Sequence, residues 1–248
     1  MNPFGVITGC DKNQEWLLPW WIENYQRHNP FPVAFFDFGM TERGRLICEQ
    51  HGQVIKINKA KENHEQSINP KDRLDFELMY GEHRVWTSRL AWFQKPQAAF
   101  LTPFETTVWI DLDCEVRQSL LPLSTLLKEE DTIAIKREVD WIQFFSHLTQ
   151  QSYLDEMIYN SGVIVFKKQA KVISLWKELC ESFFEQFPGD QEALSRVIYT
   201  HQIPICDLHE KYNQSEDSPD KEIVILHYAG EDGKEMIKKK LEPSHLIS

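Results

Sequence analysis

Short apolar runs alternate with helix-like segments along residues 4–57, and this alternation limits the fold more than any other feature of the chain. FGVITG (residues 4–9) ends in glycine and is followed by EWLLPWWIENYQRH, where Trp16, Trp20 and Trp21 fall near one helical face. VAFFDFG (33–39), a polar helix-like stretch (42–51) and VIKI (54–57) come next. The order β-α-β-α-β predicts an α/β fold, a mostly parallel central sheet with helices on both faces.

Residues 58–82 are polar, contain Asn69-Pro70 and show little periodicity, which predicts a long excursion on the ligand side of the sheet. VWTSRLAWFQKPQAAFL reads as a helix broken near Pro96 that leads into the strand VWIDL. TIAIK (132–136) and VIVF (163–166) read as further strands, separated by an aromatic and acidic segment too long for a simple turn. AKVISLWKELCESFFEQF carries Val172, Trp176, Leu179, Phe183 and Phe187 at a 3.6-residue period. Asp190 then stands where an N-cap belongs, before the helix QEALSRVIYTH, and EIVILHY (222–228) reads as a last strand. With 248 residues and no repeat or low-complexity tract, one domain is expected.

The net charge of -11 argues against nucleic acid as a partner, since that affinity comes from clustered Lys and Arg. The N-terminus MNPFGVITGC lacks a basic region followed by a long apolar run, and no stretch approaches the length of a membrane span, so a soluble cytoplasmic protein is expected. Five cysteines without a CxxC pair suggest reduced thiols rather than disulfides or structural zinc. Lys238, Lys239 and Lys240 in the tail leave at most a peripheral contact with an anionic membrane surface.

The strand VWIDLDCEV (108–116) runs into Asp111 and Asp113, with Glu115 a third acid. Carboxylates beyond the carboxyl end of a strand in an open α/β sheet stand where ligands bind, and two of them suit a hard divalent cation. The alternatives are a hydrated strand end or the nucleophile of a haloacid-dehalogenase-type phosphatase. The phosphatase motif usually sits on the first strand and needs a later acidic pair; here several strand-like runs precede it and no such pair follows. Glu115 reads as a solvated acid without a role.

The succession WIDLDCEV, YNSGVIVF, GDQEALS, KYN and ILHYAGEDGK resembles the nucleotide-sugar glycosyltransferases of GT-A fold, in particular family 8. The resemblance implies a single GT-A domain: about 1–110 a nucleotide-binding half, about 111–234 a half for metal, sugar and acceptor, and 235–248 a basic tail. It implies Mn2+ or Mg2+ held by Asp111, Asp113 and His227 with the diphosphate of a nucleoside diphosphate sugar, a UDP-hexose being favoured. Asp111 is shared with the ribose. A mixed carboxylate and imidazole set suits such an ion.

By the same resemblance Thr8, Gly9, Cys10 and Asp11 form the base and ribose pocket, and Lys95 contacts phosphate. Asn160 contacts the sugar. Asp190 and Gln191 flank the anomeric carbon. Gly230 and Lys234 meet the diphosphate, although Lys234 lies one residue beyond the family spacing HxxGxxK. The implied reaction is metal-dependent transfer to an acceptor hydroxyl with retention by front-face attack. A sugar-nucleotide hydrolase, a nucleotidyltransferase and a non-catalytic binding relative remain alternatives. The acceptor, a carbohydrate, lipid-linked sugar or protein, is expected at residues 137–159, where Trp141, Phe144 and Phe145 can stack on sugars and Glu138 or Asp140 can bind hydroxyls.

Overall fold

The computed structural model describes residues 2–57, 68–217 and 222–242. The opening alternation folds as expected: β1 (Asn2–Cys10), α1 (Leu18–His28), β2 (Val33–Asp37), α2 (Glu42–Glu49) and β3 (Gln53–Lys56). Pro19 starts α1 and Thr41 caps α2 by accepting from the Gly44 amide. The three strands pair in parallel, β3-β2-β1.

Part of the polar excursion lies outside the described residues, but the rest is helix: α3 (Pro70–Tyr80) and α4 (Glu82–Trp92). Asn69 caps α3 by accepting from the Asp72 amide at 2.9 Å, with Pro70 in the first turn. Periodicity failed here because Leu74 and Leu78 are exposed and Phe76 alone is buried. Gly81, at a φ of +82°, joins the two helices. The helix break near Pro96 is real: α4 ends at Trp92 and α5 (Lys95–Phe100) restarts with Pro96 in its first turn.

From α5 the chain enters β4 (Phe104–Ile110), which pairs in parallel with β1, then β5 (Cys114–Val116), β6 (Ile133–Arg137), α6 (Asp140–Leu148) and β7 (Tyr159–Lys167). The last elements are α7 (Lys171–Ser182), α8 (Asp190–His201), β8 (Ile205–Asp207), β9 (Ile225–His227) and α9 (Gly230–Leu241). The sheet runs β3-β2-β1-β4-β7-β6-β8, parallel except where β7 opposes both neighbours. EIVILHY does not join it: β9 pairs with β5 in a separate ribbon that sets Cys114 opposite His227.

Alternation along the strands divides the core. Val6, Val108, Ile110, Val163 and Val165 face α1 and the small ribbon. Ile7, Trp109, Ile164 and Phe166 face α5, α7 and α8. Trp21 and Trp176, both fully buried, anchor the two sides. Among the described residues no helix is long and apolar enough to cross a membrane.

Candidate active site

β1 pairs with β2 on one side and β4 on the other, so the connections diverge between β1 and β4 and leave a crevice beyond their carboxyl ends. A cavity of about 420 Å³ occupies it, a size usual for small-molecule sites. Gly9, Lys95, Asp111, Asp113, Asn160, Asp190, Gln191, His227, Gly230 and Lys234 all line this cavity. The other residues of the expected base pocket do not. Thr8 and Cys10 are fully buried, and Asp11 turns back to accept from the Asn13 backbone and side-chain amides at 2.9 and 3.0 Å. Burial, and the neighbouring Cys48 after it, push the Cys10 thiol well up, as befits core filler. Gln14 and Phe38 line the edge instead.

Two charge clusters face the cavity. In the first, Lys95 is buried, not a surface lysine: its Nζ lies 3.0 Å from Asp111 Oδ1, 3.4 Å from Asp190 Oδ2 and 3.1 Å from Ser161 Oγ. Asp111 also accepts from Trp109 Nε1 at 2.6 Å. Burial works against the Lys95 charge, but the two carboxylates outweigh it and raise the ammonium's pKa. Asp190 does not cap α8. Gly189 holds the cap position without a side chain, while Asp190 accepts from Ser161 Oγ at 2.9 Å, and burial with Asp111 nearby raises its carboxyl. Gln191 accepts from the Ser161 amide at 3.2 Å.

In the second cluster Asp113 Oδ2 meets Lys234 Nζ at 3.1 Å and Oδ1 lies 3.4 Å from His227 Nε2. Burial alone would raise the Asp113 carboxyl; the Lys234 charge and His227 overcome it and hold the group well below the usual range. The extra residue before Lys234 is absorbed in the first turn of α9. Gly230 has a φ of +87°, and Gly233 packs so close to the Tyr228 carbonyl that a Cβ would come within 2.2 Å of its oxygen.

A hydrogen-bond chain orients His227. The Gly162 amide can only donate, and it reaches Asn160 Oδ1 at 2.9 Å; Asn160 Nδ2 therefore faces outward and donates to Glu138 at 2.6 Å. Asn213 Nδ2 donates to the same Asn160 oxygen at 2.9 Å, which turns Asn213 Oδ1 toward His227 Nδ1, also at 2.9 Å. Nδ1 therefore donates to Asn213, which leaves Nε2 as the ring nitrogen facing Asp113. Gly162 makes the approach possible, because a Cβ there would lie 2.2 Å from His227 Cε1.

This arrangement fits a divalent cation. An imidazole nitrogen and a carboxylate oxygen face each other, and among the described residues six carboxylates line the cavity against three fixed cations, an imbalance that a diphosphate would worsen without added positive charge. Asp113, Cys114 and His227 place donor atoms within 4.8 Å of one another, so Cys114 stands in the group where Asp111 was expected. Burial and both aspartates push the Cys114 thiol well up, so it stays a thiol, and Asp111 reaches the same cavity from the Lys95 side.

In the segment expected to meet the acceptor, residues 140–148 form α6 instead of irregular structure. Glu138, Trp141 and Phe145 line the cavity; Phe144 and Asp140 point to solvent. Glu115 is not a free acid either: it accepts from Arg117 and Tyr228 and fastens β5 to the last helix through Lys240.

Sequence reasoning missed Ser161, Asn213, Arg84, Tyr80 and Glu192. Asn213 lies in the KYN element, and only the fold joins it to His227. Glu192 takes a hydrogen bond from Tyr80, and burial raises its pKa from 4.5 to about 7. From about pH 4.5 to 7 the folded chain thus keeps a proton that the unfolded chain has released, and stability falls as pH rises through that window. Glu192→Gln should be more stable than the parent at pH 8, by up to about 3 kcal/mol, with no difference near pH 4. Urea unfolding at the two pH values measures this; a difference independent of pH would refute it.

The sheet order, the antiparallel β7 and the ribbon carrying His227 define a GT-A fold. The chain is similar in structure to galactosyltransferase LgtC in complex with donor and acceptor sugar analogues, at 15% identity over 92% of this chain and 87% of that one, with a TM-score of 0.60. It is similar to mouse xyloside xylosyltransferase 1 at 14% identity, covering 91% and 97%, with a TM-score of 0.55. It also resembles the bifunctional glycosyltransferase WbbM at 12% identity, covering 93% and 46%, with a TM-score of 0.59. No protein-family model and no curated protein sequence matches the chain.

Proposed function

We propose that the chain is a metal-dependent glycosyltransferase that moves a sugar from a nucleoside diphosphate sugar, a UDP-hexose by preference, to an acceptor hydroxyl. The observation that carries this reading is the pairing of two charge clusters in one cavity of a GT-A fold: Asp113 with His227 and Lys234, and Asp190 with Lys95 and Asp111. Asp113 and His227, with Asp111, would hold Mn2+ or Mg2+ beside the diphosphate. The ion supplies positive charge against the charge that builds on the leaving diphosphate.

The protein's own groups do the rest. Lys234 contributes a second positive charge once the diphosphate competes for it, and the Asn213 bond keeps His227 Nε2 aimed at the site. Asp190 is buried and held by Lys95 and Ser161, which disfavours attack by this carboxylate on the anomeric carbon. Retention through front-face attack, with Asp190 and Gln191 positioning the sugar, agrees better with that restraint. Asn160, with one Nδ2 hydrogen left beyond the bond to Glu138, would donate to a sugar hydroxyl, and Trp141 and Phe145, which line the cavity, would cover the acceptor.

We place this activity in the cytoplasm with no nucleic acid partner. The lysines of α9 are partly engaged internally, Lys238 with Glu235 and Lys240 with Glu115, so any contact with a membrane surface is peripheral. Calorimetry of UDP with and without Mn2+ tests the reading. At least about tenfold tighter binding with the ion is expected; equal affinity in the two conditions refutes the metal assignment.

A further inference from the structure

Of the three fixed cations that line the cavity among the described residues, two are already spent, Lys95 on Asp111 and Asp190 and Lys234 on Asp113. Arg84 is different. Among the described residues no carboxylate forms an ion pair with its guanidinium, and its Nε is buried without a hydrogen-bond partner. The guanidinium is held against two aromatic rings, its Cζ 5.6 Å from the centre of Tyr80 and 5.5 Å from that of Trp92. Such contacts fix the plane of an arginine while leaving its donors unused.

Its position is equally specific. A Cβ built on Gly230 would lie 3.6 Å from Arg84 Nη1, and one built on Gly189 would lie 3.5 Å from Trp92 Cε3. Arg84 thus lies beside the start of α9, which carries Lys234, and the Trp92 ring it packs on lies beside the start of α8, which carries Asp190. A cation that stays unpaired in a cavity lined by six carboxylates retains its donors for something else. The planar fork matches phosphate or carboxylate oxygens in two parallel hydrogen bonds, one of which would satisfy the buried Nε.

We propose that Arg84 receives an anionic group, phosphate or carboxylate, carried by the substrate. The assignment of that substrate rests on the sugar-transfer reading; the anion site itself does not. Two carriers present the same chemistry, the terminal phosphate of the donor and an acidic substituent on the acceptor.

Calorimetry on the full chain and on Arg84→Met and Arg84→Lys distinguishes them, with UDP and UMP in Mn2+, inorganic pyrophosphate, and glucose 6-phosphate against glucose as probes. If the donor carries the anion, Arg84→Met weakens UDP and pyrophosphate about tenfold or more and leaves UMP within about twofold. If the acceptor carries it, glucose 6-phosphate weakens by that factor while UDP and glucose do not. Arg84→Lys recovers the lost affinity in part, since it keeps the charge without the fork. The proposal is overturned if every probe binds Arg84→Met within about twofold of the parent, or if uncharged glucose weakens as much as glucose 6-phosphate and UMP as much as UDP. A parent chain that fails to bind UDP refutes the sugar-transfer reading alone, and pyrophosphate then still tests Arg84.

Discussion

Asp113→Asn should abolish the Mn2+ dependence of UDP binding and lower turnover of a nucleoside diphosphate sugar by about 10²- to 10³-fold, the usual loss when one group opposing transition-state charge is removed. The side chain keeps its size and can still accept from Lys234, but the charge facing His227 Nε2 at 3.4 Å is gone. The variant should still fold, since the backbone bond from the Tyr228 amide to the Asp113 carbonyl, 2.8 Å, is untouched, but with a lower unfolding midpoint because Lys234 loses its buried charged partner. Mn2+ titration followed by electron paramagnetic resonance reads the metal directly. An Asn variant that binds Mn2+ and UDP as the parent does would remove Asp113 from the site.

Lys95→Met should have the largest effect on stability. It strips the counter-charge from Asp111 and Asp190 in a buried setting, and removal of one partner from a buried pair costs about 3–5 kcal/mol. The sign with pH follows from the directions of the shifts. In the parent, the raised Lys95 pKa contributes stability that is fully present below the ordinary lysine range and lost only as the solution becomes more alkaline than the folded-state value. In the variant Asp190, already raised by burial and by Asp111, loses the ammonium that opposes the shift. Its proton is then retained in the folded state to higher pH, so the variant weakens as pH rises from the acid range and recovers on acidification. Asp190→Asn in the Lys95→Met background should restore much of the loss, a non-additivity that a double-mutant cycle measures. Equal destabilisation of Lys95→Met at pH 5 and pH 8, with no rescue, would show that lost packing and not charge is responsible.

Much of the cavity was legible because its residues are tied to strand ends. Asp111 and Asp113 follow β4 directly, and Asn160 lies on β7, so a correct strand reading carries the side chains to the right edge of the sheet. Lys95 was legible as a phosphate candidate but not as the buried partner of two acids, since nothing local tells a lysine beside Pro96 that Asp190 will arrive from a later helix. Asp190 shows the opposite failure. Its position before a helix matched a cap, yet Gly189 leaves the cap site open and Ser161 and Lys95 claim the carboxylate. Glu115 was misread for the same reason, its partners Tyr228 and Lys240 lying more than a hundred residues away.

The helices α3 and α6 escaped the periodic pattern because their apolar residues are not confined to a core face. Leu74 and Leu78 on one, Trp141 and Phe144 on the other, are more than half exposed. The Asn69-Pro70 pair was a usable start signal for α3, since a cap acts through its own backbone and needs no partner from elsewhere.

By itself the sequence determined the β-α-β-α-β start, the break before Pro96 and the carboxylates at the end of β4, because each follows from backbone preference or the period-two burial of neighbouring residues. Only the tertiary structure decided which acid each cation would neutralise, which way the His227 ring would face and that no carboxylate among the described residues would pair with Arg84. Those outcomes depend on distances between segments up to about 150 residues apart, and electrostatic and hydrogen-bond energies are set by such distances and by burial, neither of which is written in local order.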